Sequence, residues 1–130
     1  MISRVKLVSI PVRDQQRAVQ FYTTKLGFTV TTDAPFDGTQ RWIELTLPGG
    51  GARVVLFTPP GAEQSIGGFS NIVFTSDDVE RTYEELRSRG VEFAQPHKRE
   101  AWGTSSVFKD VDGNMFALTS DVEAGVQTGR

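Results

Sequence analysis

The chain carries the same order of sequence patterns twice, and this internal repeat constrains its fold more than any other feature. The first copy begins with an apolar run at residues 5–12 and passes through Asp14 into a stretch with helical periodicity. The second copy begins at residues 71–74 and passes through Asp78, which lies 64 residues after Asp14, into a second helical stretch. We therefore expect the same small structural unit in both halves of the chain.

Each half continues with strand-like segments after its helix. These segments are residues 41–47 and 52–58 in the first half and residues 102–108 and 114–119 in the second. The expected unit is βαβββ, used twice, which gives an α+β fold class. The predicted modules are residues 1–60 and 68–122, and together they form one domain, residues 1–130, of ordinary size for a globular protein.

Local signals place the ends of both helices. Asp14 can accept hydrogen bonds from the free amides of the first turn, and Asp77 followed by Glu80 has the spacing of a capping box. Gly27 and Gly90 are expected to end the helices, since glycine adopts the left-handed conformation without a steric penalty. Each predicted helix also carries one apolar stripe, which indicates that it packs against a sheet.

Composition excludes several classes of protein. The net charge of −2 gives no basic footprint for nucleic acid, and the absence of cysteine excludes disulfides, thiolate catalysis and cysteine-based metal sites. The first apolar stretch indicates a strand rather than a signal peptide, since Ser9 and Pro11 interrupt it. No run approaches the roughly 20 apolar residues of a membrane span. We expect a cytoplasmic protein without a membrane or nucleic-acid partner.

Several short motifs together resemble the vicinal oxygen chelate superfamily, which includes glyoxalase I, bleomycin resistance proteins and extradiol dioxygenases. The motifs are residues 8–14 (VSIPVRD), Phe21-Tyr22, Leu26-Gly27-Phe28, Asp78-Val79, residues 89–93 (RGVEF) and the turn at residues 110–114 (DVDGN). The resemblance covers nearly the whole chain. It implies two βαβββ modules that form a curved mixed sheet around a central cup, with the helices on the convex face. It implies no single reaction, because this superfamily catalyses isomerisations, oxygenations and thiol additions and also binds drugs.

In enzymes of that superfamily a divalent metal sits in the cup, held mostly by His and Glu on the first and last strands of each module. The resemblance places those four positions at Leu7, Leu56, Asn71 and Ala117 of this chain. Leucine and alanine side chains cannot bind a metal ion, and a lone asparagine supplies no negative charge. We therefore expect neither a bound metal nor another cofactor.

Strand alternation gives an independent assignment of the cup. On the first strand it leaves Leu7 and Ser9 to the cup, and on the third segment it leaves Trp42 and Glu44. The expected ligand-binding residues are Leu7, Ser9, Trp42, Glu44, Leu56, Asn71, Thr75, Trp102, Thr104 and Ala117, with Val54, Met115 and Ser106 also in the lining. Apolar walls with aromatic panels and a few fixed polar groups are typical of a small-molecule pocket. The alternative is that these side chains fill a closed core.

Glu44 is the most informative of these residues. A glutamate among apolar side chains is costly to bury without a partner, so it either faces a cavity or pairs with a cation such as Arg41, Arg53 or a charged ligand. In a desolvated pocket it could act as a general base, which makes it the candidate catalytic residue. A glutamate on a solvent-exposed edge strand is the alternative.

Two further regions are expected to be solvated. His97, the single histidine, lies in a charged stretch at residues 96–100 that is typical of an exposed loop. The tail at residues 123–130 is small and polar, and we expect it to be loosely ordered.

Two classes of function fit these expectations, and a purely structural or regulatory role through a protein partner is a third. The first is a metal-independent binding protein of the glyoxalase and bleomycin-resistance type, which sequesters or carries a hydrophobic or aromatic small molecule in the cup. The second is an enzyme with a non-standard active site, a lyase, isomerase or dioxygenase-like protein that uses Glu44. A standard metal-dependent glyoxalase or dioxygenase is not expected. The resemblance also implies a homodimer, since binding members of the family often form pockets between chains.

Overall fold

The computed structural model describes residues 1–121 and shows the predicted repeat. The chain divides between Ile66 and Gly67 into two compact units. Each unit contains one α-helix and one four-stranded mixed sheet, so the expected α+β class and the repeated βαβββ pattern are confirmed. Residue 122, which ends the second predicted module, and the tail at residues 123–130 lie outside the described residues.

The first unit consists of five main elements followed by one short 3-10 turn. They are β1 (Leu7–Ile10), α1 (Gln15–Thr24), β2 (Thr29–Pro35), β3 (Arg41–Thr46) and β4 (Arg53–Leu56), with the 3-10 turn at Glu63–Ser65. The strand order in the sheet is β1-β4-β3-β2, with β1 parallel to β4 and the other neighbours antiparallel. The first and last strands of the unit therefore lie side by side.

The second unit repeats this topology. Its elements are β5 (Phe69–Ser76), α2 (Val79–Ser88), β6 (Phe93–Glu100), β7 (Gly103–Lys109) and β8 (Met115–Ser120), and the strand order is β5-β8-β7-β6. The strands after the helices, β2 and β6, are the ones that the sequence pattern did not delimit. Both lie at a sheet edge and both have irregular register, which weakens the alternation of apolar residues along them.

The starts of the helices follow the expected chemistry with one correction. The Asp14 side chain accepts a hydrogen bond from the Arg17 N–H at 3.0 Å and caps α1, as predicted. In α2 the capping residue is Asp78, which accepts from the Arg81 N–H at 3.0 Å. The capping-box prediction for Asp77 is therefore wrong, because α2 begins one residue later than that spacing requires.

Glycine ends both helices, as predicted. Gly27 and Gly90 have φ of 78° and 88°, the left-handed conformation that residues with a Cβ resist. After the first of them, the Phe28 N–H donates to the Tyr22 carbonyl at 3.0 Å and closes the last turn of α1. No helix among the described residues has both the length and the apolar character needed to cross a membrane.

Each sheet buries one face in a core that includes side chains of its own helix. In the first unit the residues at most 1% exposed are Ile10, Tyr22, Ile43, Leu45, Val54, Val55 and Leu56, together with Ala18. In the second unit the buried set includes Val79, Tyr83, Leu86, Phe108, Phe116 and Leu118. We use the term helix-side core for the strand residues that point toward the helix of their own unit. It comprises all the strand residues named in this paragraph except Val55. Burying one large apolar side chain contributes about 1.5–3 kcal/mol, so this core dominates the stability of each unit.

The turn between β7 and β8 is held by its own side chains. Asp110 Oδ1 accepts hydrogen bonds from the Asp112 N–H at 2.8 Å and from the Asn114 N–H at 2.9 Å, and Gly113 has φ of 82°. The Asn114 side-chain oxygen also accepts from the Gly67 N–H at 2.8 Å. The hairpin predicted at residues 110–114 is thus present, and a structural role accounts for its acidic and amide side chains.

Candidate ligand-binding face

The candidate site is the face of the first sheet opposite the helix-side core. Strand register defines it, because directly paired residues of neighbouring strands point to the same side. Val55 on β4 pairs with Ser9 on β1 and with Glu44 on β3, while Arg53 pairs with Leu7. We call this surface the site face, and it comprises Leu7, Ser9, Trp42, Glu44, Arg53, Val55 and Phe57.

Glu44 lies at the centre of the site face and is 8% exposed. Its Oε2 accepts a hydrogen bond from the indole N–H of Trp42 at 2.8 Å, and its Oε1 accepts from Arg53 Nη1 at 2.9 Å. Glutamate is therefore buried here with the cationic partner that such a site requires. Of the two partners considered for it, Arg53 makes the ion pair, whereas Arg41 pairs with Asp33.

The surroundings of Glu44 favour its ionised form. The hydrogen bond from Trp42 and then the one from Arg53 lower the pKa of Glu44, while burial acts in the opposite direction. A general base works best when its pKa lies near the operating pH and its oxygen can reach a substrate proton. A carboxylate with a lowered pKa and a donor on each oxygen does not have these properties, so the geometry favours an anchoring role.

Three aromatic rings lie beside this ion pair and form what we call the aromatic cluster, Phe36, Trp42 and Phe57. The rings of Phe36 and Trp42 are stacked, with centroids 5.7 Å apart and an interplanar angle of 30°. Phe57 contacts both, at 4.9 Å from Phe36 and 5.2 Å from Trp42. Phe36 is 58% exposed and Phe57 only 7%, so the cluster reaches the surface mainly through the ring of Phe36.

The loop that carries Phe36 is fixed by hydrogen bonds. The Asp37 side chain accepts from the backbone N–H groups of Thr39 at 2.8 Å and Gln40 at 2.7 Å. The Phe36 N–H donates to the Gln40 carbonyl at 3.2 Å. The hydrogen bonds from Thr39 and then Gln40 also lower the pKa of Asp37. The exposed ring thus extends from a defined turn, which reduces the ordering needed when a ligand binds.

The structure corrects the expected position of Leu56. Leu56 pairs with Ile10, so it points into the helix-side core, and Val54 does the same. The sequence is apolar at four consecutive positions, residues 54–57. Alternation therefore could not show which of these side chains point to which face of the sheet. Leu7 and Ser9 do lie on the site face, as predicted.

In the second unit, the register brings several predicted residues to one face. Ala117 on β8 pairs with both Val73 and Val107, and Thr75 lies on the same side, two residues further along β5. Asn71 is exposed, in a stretch of β5 where the pairing with β8 is interrupted. This face of the second sheet is formed mainly by aliphatic and small polar side chains. The exposed ring of Phe69 lies at its end, since Phe69 pairs with Met115, two residues before Ala117 on β8.

Three other expectations for the second unit are wrong. Trp102 lies in the turn between β6 and β7, 41% exposed, and not on a strand. Thr104 and Ser106 are buried at 5% and 0%, and the pairing of Ser106 with Leu118 directs both to the helix side of the sheet. Hydroxyl residues occupy both faces of this strand, so its sequence contained no signal for the direction of either side chain.

His97 also differs from the expectation of an exposed loop. It lies within β6 and is partly buried. Its ring packs edge-on against Tyr83, with centroids 4.9 Å apart. Its charged neighbours Lys98 and Arg99 are exposed, and their character along the sequence concealed the contact of His97 with α2.

The metal-ligand positions of the superfamily do not form a metal site in this chain. Leu7 and Leu56 point to opposite faces of the first sheet, and neither side chain carries a donor atom. Among residues 1–121 there is no group of three or more His, Asp or Glu side chains placed to hold a metal ion together. The donor set that the resemblance assigns therefore does not fit a divalent metal.

A separate depression of about 420 Å³ lies in the first unit. Its lining is Val12, Arg13, Gln15, Thr39, Gln40, Thr58, Glu63 and Ile66. The Gln40 amide donates to the Thr58 carbonyl at 2.8 Å and accepts from the Thr58 N–H at 2.9 Å. The Gln15 amide donates to the Leu56 carbonyl at 2.8 Å and to the Arg41 carbonyl at 2.7 Å. These amides connect neighbouring strands, so a structural role accounts for the polar lining.

Two residues of the aromatic cluster were missed by the sequence reasoning. Phe57 follows β4 directly, and the correct phase of that strand would have placed it beside Trp42. Phe36 lies in a loop, where strand alternation predicts nothing. The available signal was its position next to the turn-forming pair Asp37-Gly38.

Comparison with known proteins adds to this geometry. Residues 4–118 match a family model described as the Glyoxalase/Bleomycin resistance protein/Dioxygenase superfamily. The uncharacterized protein YetH of Bacillus subtilis (strain 168) is 37% identical over 118 residues, which are 91% of this chain and 98% of YetH. A crystal structure of a superfamily member from Sphaerobacter thermophilus DSM 20745 is 32% identical with a TM-score of 0.83, covering 92% of this chain and 98% of that one. TnmS3, an antibiotic binding protein from Streptomyces sp. CB03234, is 32% identical with a TM-score of 0.77, covering 92% and 97%.

Proposed function

Because the chain belongs to the Glyoxalase/Bleomycin resistance protein/Dioxygenase superfamily, we propose that it is a metal-independent protein that binds an aromatic small molecule on the site face. The family match confirms the resemblance to the vicinal oxygen chelate superfamily. The observation that carries the proposal is the aromatic cluster, whose central ring is anchored by the hydrogen bond between Trp42 and Glu44. Anchoring the indole at its edge fixes the ring on which Phe36 stacks, so the exposed part of the cluster is held in place for a ligand.

The similarity to TnmS3 supports a binding role. TnmS3 is described as an antibiotic binding protein, and it shares the fold of this chain at 32% identity. A protein of this kind sequesters or carries its ligand by burial and stacking, without a chemical step. We extend this role to the present chain because its site face offers aromatic surface and a paired carboxylate.

The ligand contacts that we propose are centred on the first unit. Leu7 and Ser9 supply the part of the site face formed by β1. Asn71, Thr75 and Ala117 in the second unit remain proposed contacts. An enzymatic role for Glu44 remains the alternative, to which the lowered pKa of this residue lends no support.

We also propose that the protein is cytoplasmic, and that it is a homodimer, as the family resemblance implies. Sedimentation velocity at micromolar concentration would show a dimer, and a monomer at all concentrations would contradict this part of the proposal. Fractionation of the source cells would test the compartment.

The binding proposal is tested with a variant in which one tryptophan reports on the site. In a Trp102→Phe protein, Trp42 is the remaining tryptophan, and planar di- and tricyclic aromatic compounds that stack on it should quench its fluorescence. Compounds that quench are then titrated by calorimetry against Trp42→Ala. We expect affinity to fall by about tenfold or more, since stacking and burial of one aromatic residue contribute roughly 1.5–3 kcal/mol.

The matched control is Trp102→Ala, which removes the other tryptophan from an exposed turn and should leave affinity unchanged. Equal loss of affinity in both variants, or no effect of Trp42→Ala, would contradict the proposed site.

A further inference from the structure

The site face presents a cation to solvent beside its aromatic cluster. In the ion pair between Glu44 and Arg53 the carboxylate side chain is 10% exposed, whereas the arginine side chain is 45% exposed. A molecule that approaches this face therefore meets the guanidinium and not the carboxylate. The buried carboxylate holds the guanidinium in place from behind.

The guanidinium has donors available for a second partner. An arginine side chain carries five N–H donors in a planar fork. Within residues 1–121 the Arg53 side chain makes one hydrogen bond, from Nη1 to Glu44 at 2.9 Å. The remaining N–H groups suit a second carboxylate or another planar anion, which arginine binds in a bidentate manner.

A second positive charge lies close by. Lys6 immediately precedes β1, and its carbonyl accepts a hydrogen bond from the Arg53 N–H at 3.0 Å. The charge of Lys6 is near enough to favour the ionised form of Glu44. Two cations thus lie near one buried carboxylate, of which only Arg53 forms an ion pair with it, so the local charge on this side of the sheet is positive.

Resting on the binding function proposed above, we infer that the ligand is a planar aromatic acid, with its ring on the aromatic cluster and its anionic group on Arg53. Trp42 connects the two halves of this site, because its ring belongs to the cluster and its N–H bonds the same carboxylate that holds Arg53. Ring and anion are therefore recognised by adjacent groups on one strand pair.

The test compares two probes of equal shape and different charge. We would titrate 2-naphthoate and its neutral amide, 2-naphthamide, by calorimetry into the full chain. We expect the acid to bind about tenfold more tightly, as a hydrogen-bonded pair with a charged group allows, and this preference should shrink as salt is added. Arg53→Gln should remove the preference, and Lys6→Gln should reduce it by a smaller factor.

The control for charge is Arg41→Gln. Arg41 has a similar exposure of 39% but pairs with Asp33 away from the site face, so its loss should leave the preference unchanged. Since Arg53→Gln leaves Glu44 without its cation, Arg53→Lys provides a second variant, which retains the charge and should retain part of the preference.

The possible outcomes distinguish the inference about an aromatic acid from the proposed binding function. Equal binding of both probes, or an unchanged preference in Arg53→Gln, would overturn the inference about the acid and leave the binding function in place. Failure of both probes and of the wider aromatic panel to bind would overturn the proposed function, and this inference with it.

Discussion

The two sheets share one strand order but differ in the face that carries their cluster of aromatic rings. In the first unit the aromatic cluster lies on the site face and includes a ring that is 58% exposed. In the second unit Phe74, Phe108 and Phe116 pack together, with ring centroids 5.3 to 5.9 Å apart, on the side of the helix-side core. The same topology therefore places a cluster of aromatic rings in the helix-side core in one copy and on the site face in the other.

Equivalent strand positions show the same divergence. Val55 in β4 and Ala117 in β8 occupy corresponding places, since Val55 pairs with Ser9 and Ala117 pairs with Val73, which lies 64 residues after Ser9. The partner of Val55 on the third strand of its unit is Glu44, whereas the partner of Ala117 on the third strand of its unit is Val107. The second face therefore has an aliphatic side chain where the first has an anchored carboxylate, so repetition of the fold does not imply repetition of the site.

The largest expected effect is on stability and contrasts one phenylalanine from each unit. Phe116→Ala should lower the free energy of unfolding by about 3–5 kcal/mol, because the side chain is 0% exposed and its removal leaves a cavity. Phe36→Ala should cost less than about 1 kcal/mol, since most of that ring is already solvated. Urea unfolding measures both. Similar losses in the two variants would show that Phe36 belongs to a core and not to a binding surface.

A smaller effect contrasts two buried hydroxyl groups. Thr58 Oγ1 accepts from the Val12 N–H at 2.8 Å and donates to the Val12 carbonyl at 2.9 Å, so Thr58→Val should cost about 1–3 kcal/mol. Ser106 Oγ has no hydrogen-bond partner within the described chain, and Ser106→Ala should therefore stabilise by roughly 0.5–1 kcal/mol. Thermal unfolding shows whether each variant is more or less stable than the wild type. A less stable Ser106→Ala protein would indicate a bound water or another partner for that hydroxyl.

The smallest expected effect concerns pH and is specific to the site face. The pKa of Glu44 is lowered in the folded state, so its stabilising contribution is complete above the ordinary glutamate pKa of 4.5 and is lost as the pH falls through the lower folded value. Glu44→Gln should thus be less stable than wild type at neutral pH, and the difference should narrow as the pH falls below 4.5. The effect is small because the amide oxygen can still accept the Trp42 N–H bond.

Urea unfolding at several pH values checks this dependence, with Glu84→Gln on the exposed face of α2 as a control for the loss of one charge. A stability difference that does not change with pH would show that the carboxylate is not responsible for it.

The repeat and the helix ends could be predicted because their signals are local. The spacing of Asp14 and Asp78 and the two terminal glycines each depend on a few neighbouring residues. The site was predicted only where a strand alternates cleanly, as around Glu44 in β3. Leu56 and Thr104 were misplaced because their strands carry similar residues on both faces, so that only pairing with a neighbouring strand fixes the direction of each side chain.

Two contacts could not be predicted from the sequence and were found only in the folded structure. The bond between Glu44 and Arg53 joins neighbouring strands in diagonal positions, and the sequence left Arg41 as an equal candidate. Phe36 reaches the cluster from a loop, where the turn at Asp37 sets its position. Such contacts depend on register and loop geometry, which are properties of the assembled sheet.

The aromatic cluster and its ion pair share one further property, since all of their residues fall between positions 36 and 57. The stretch runs through β3 and β4 without interruption from any other element. In evolutionary terms, a single recombination within this part of a gene would transfer the aromatic rings, the carboxylate and the guanidinium together. Under the proposed function, relatives with the same strand order would exchange the aromatic and charged part of the site as one short cassette, while the helix-side core of the second unit remains untouched.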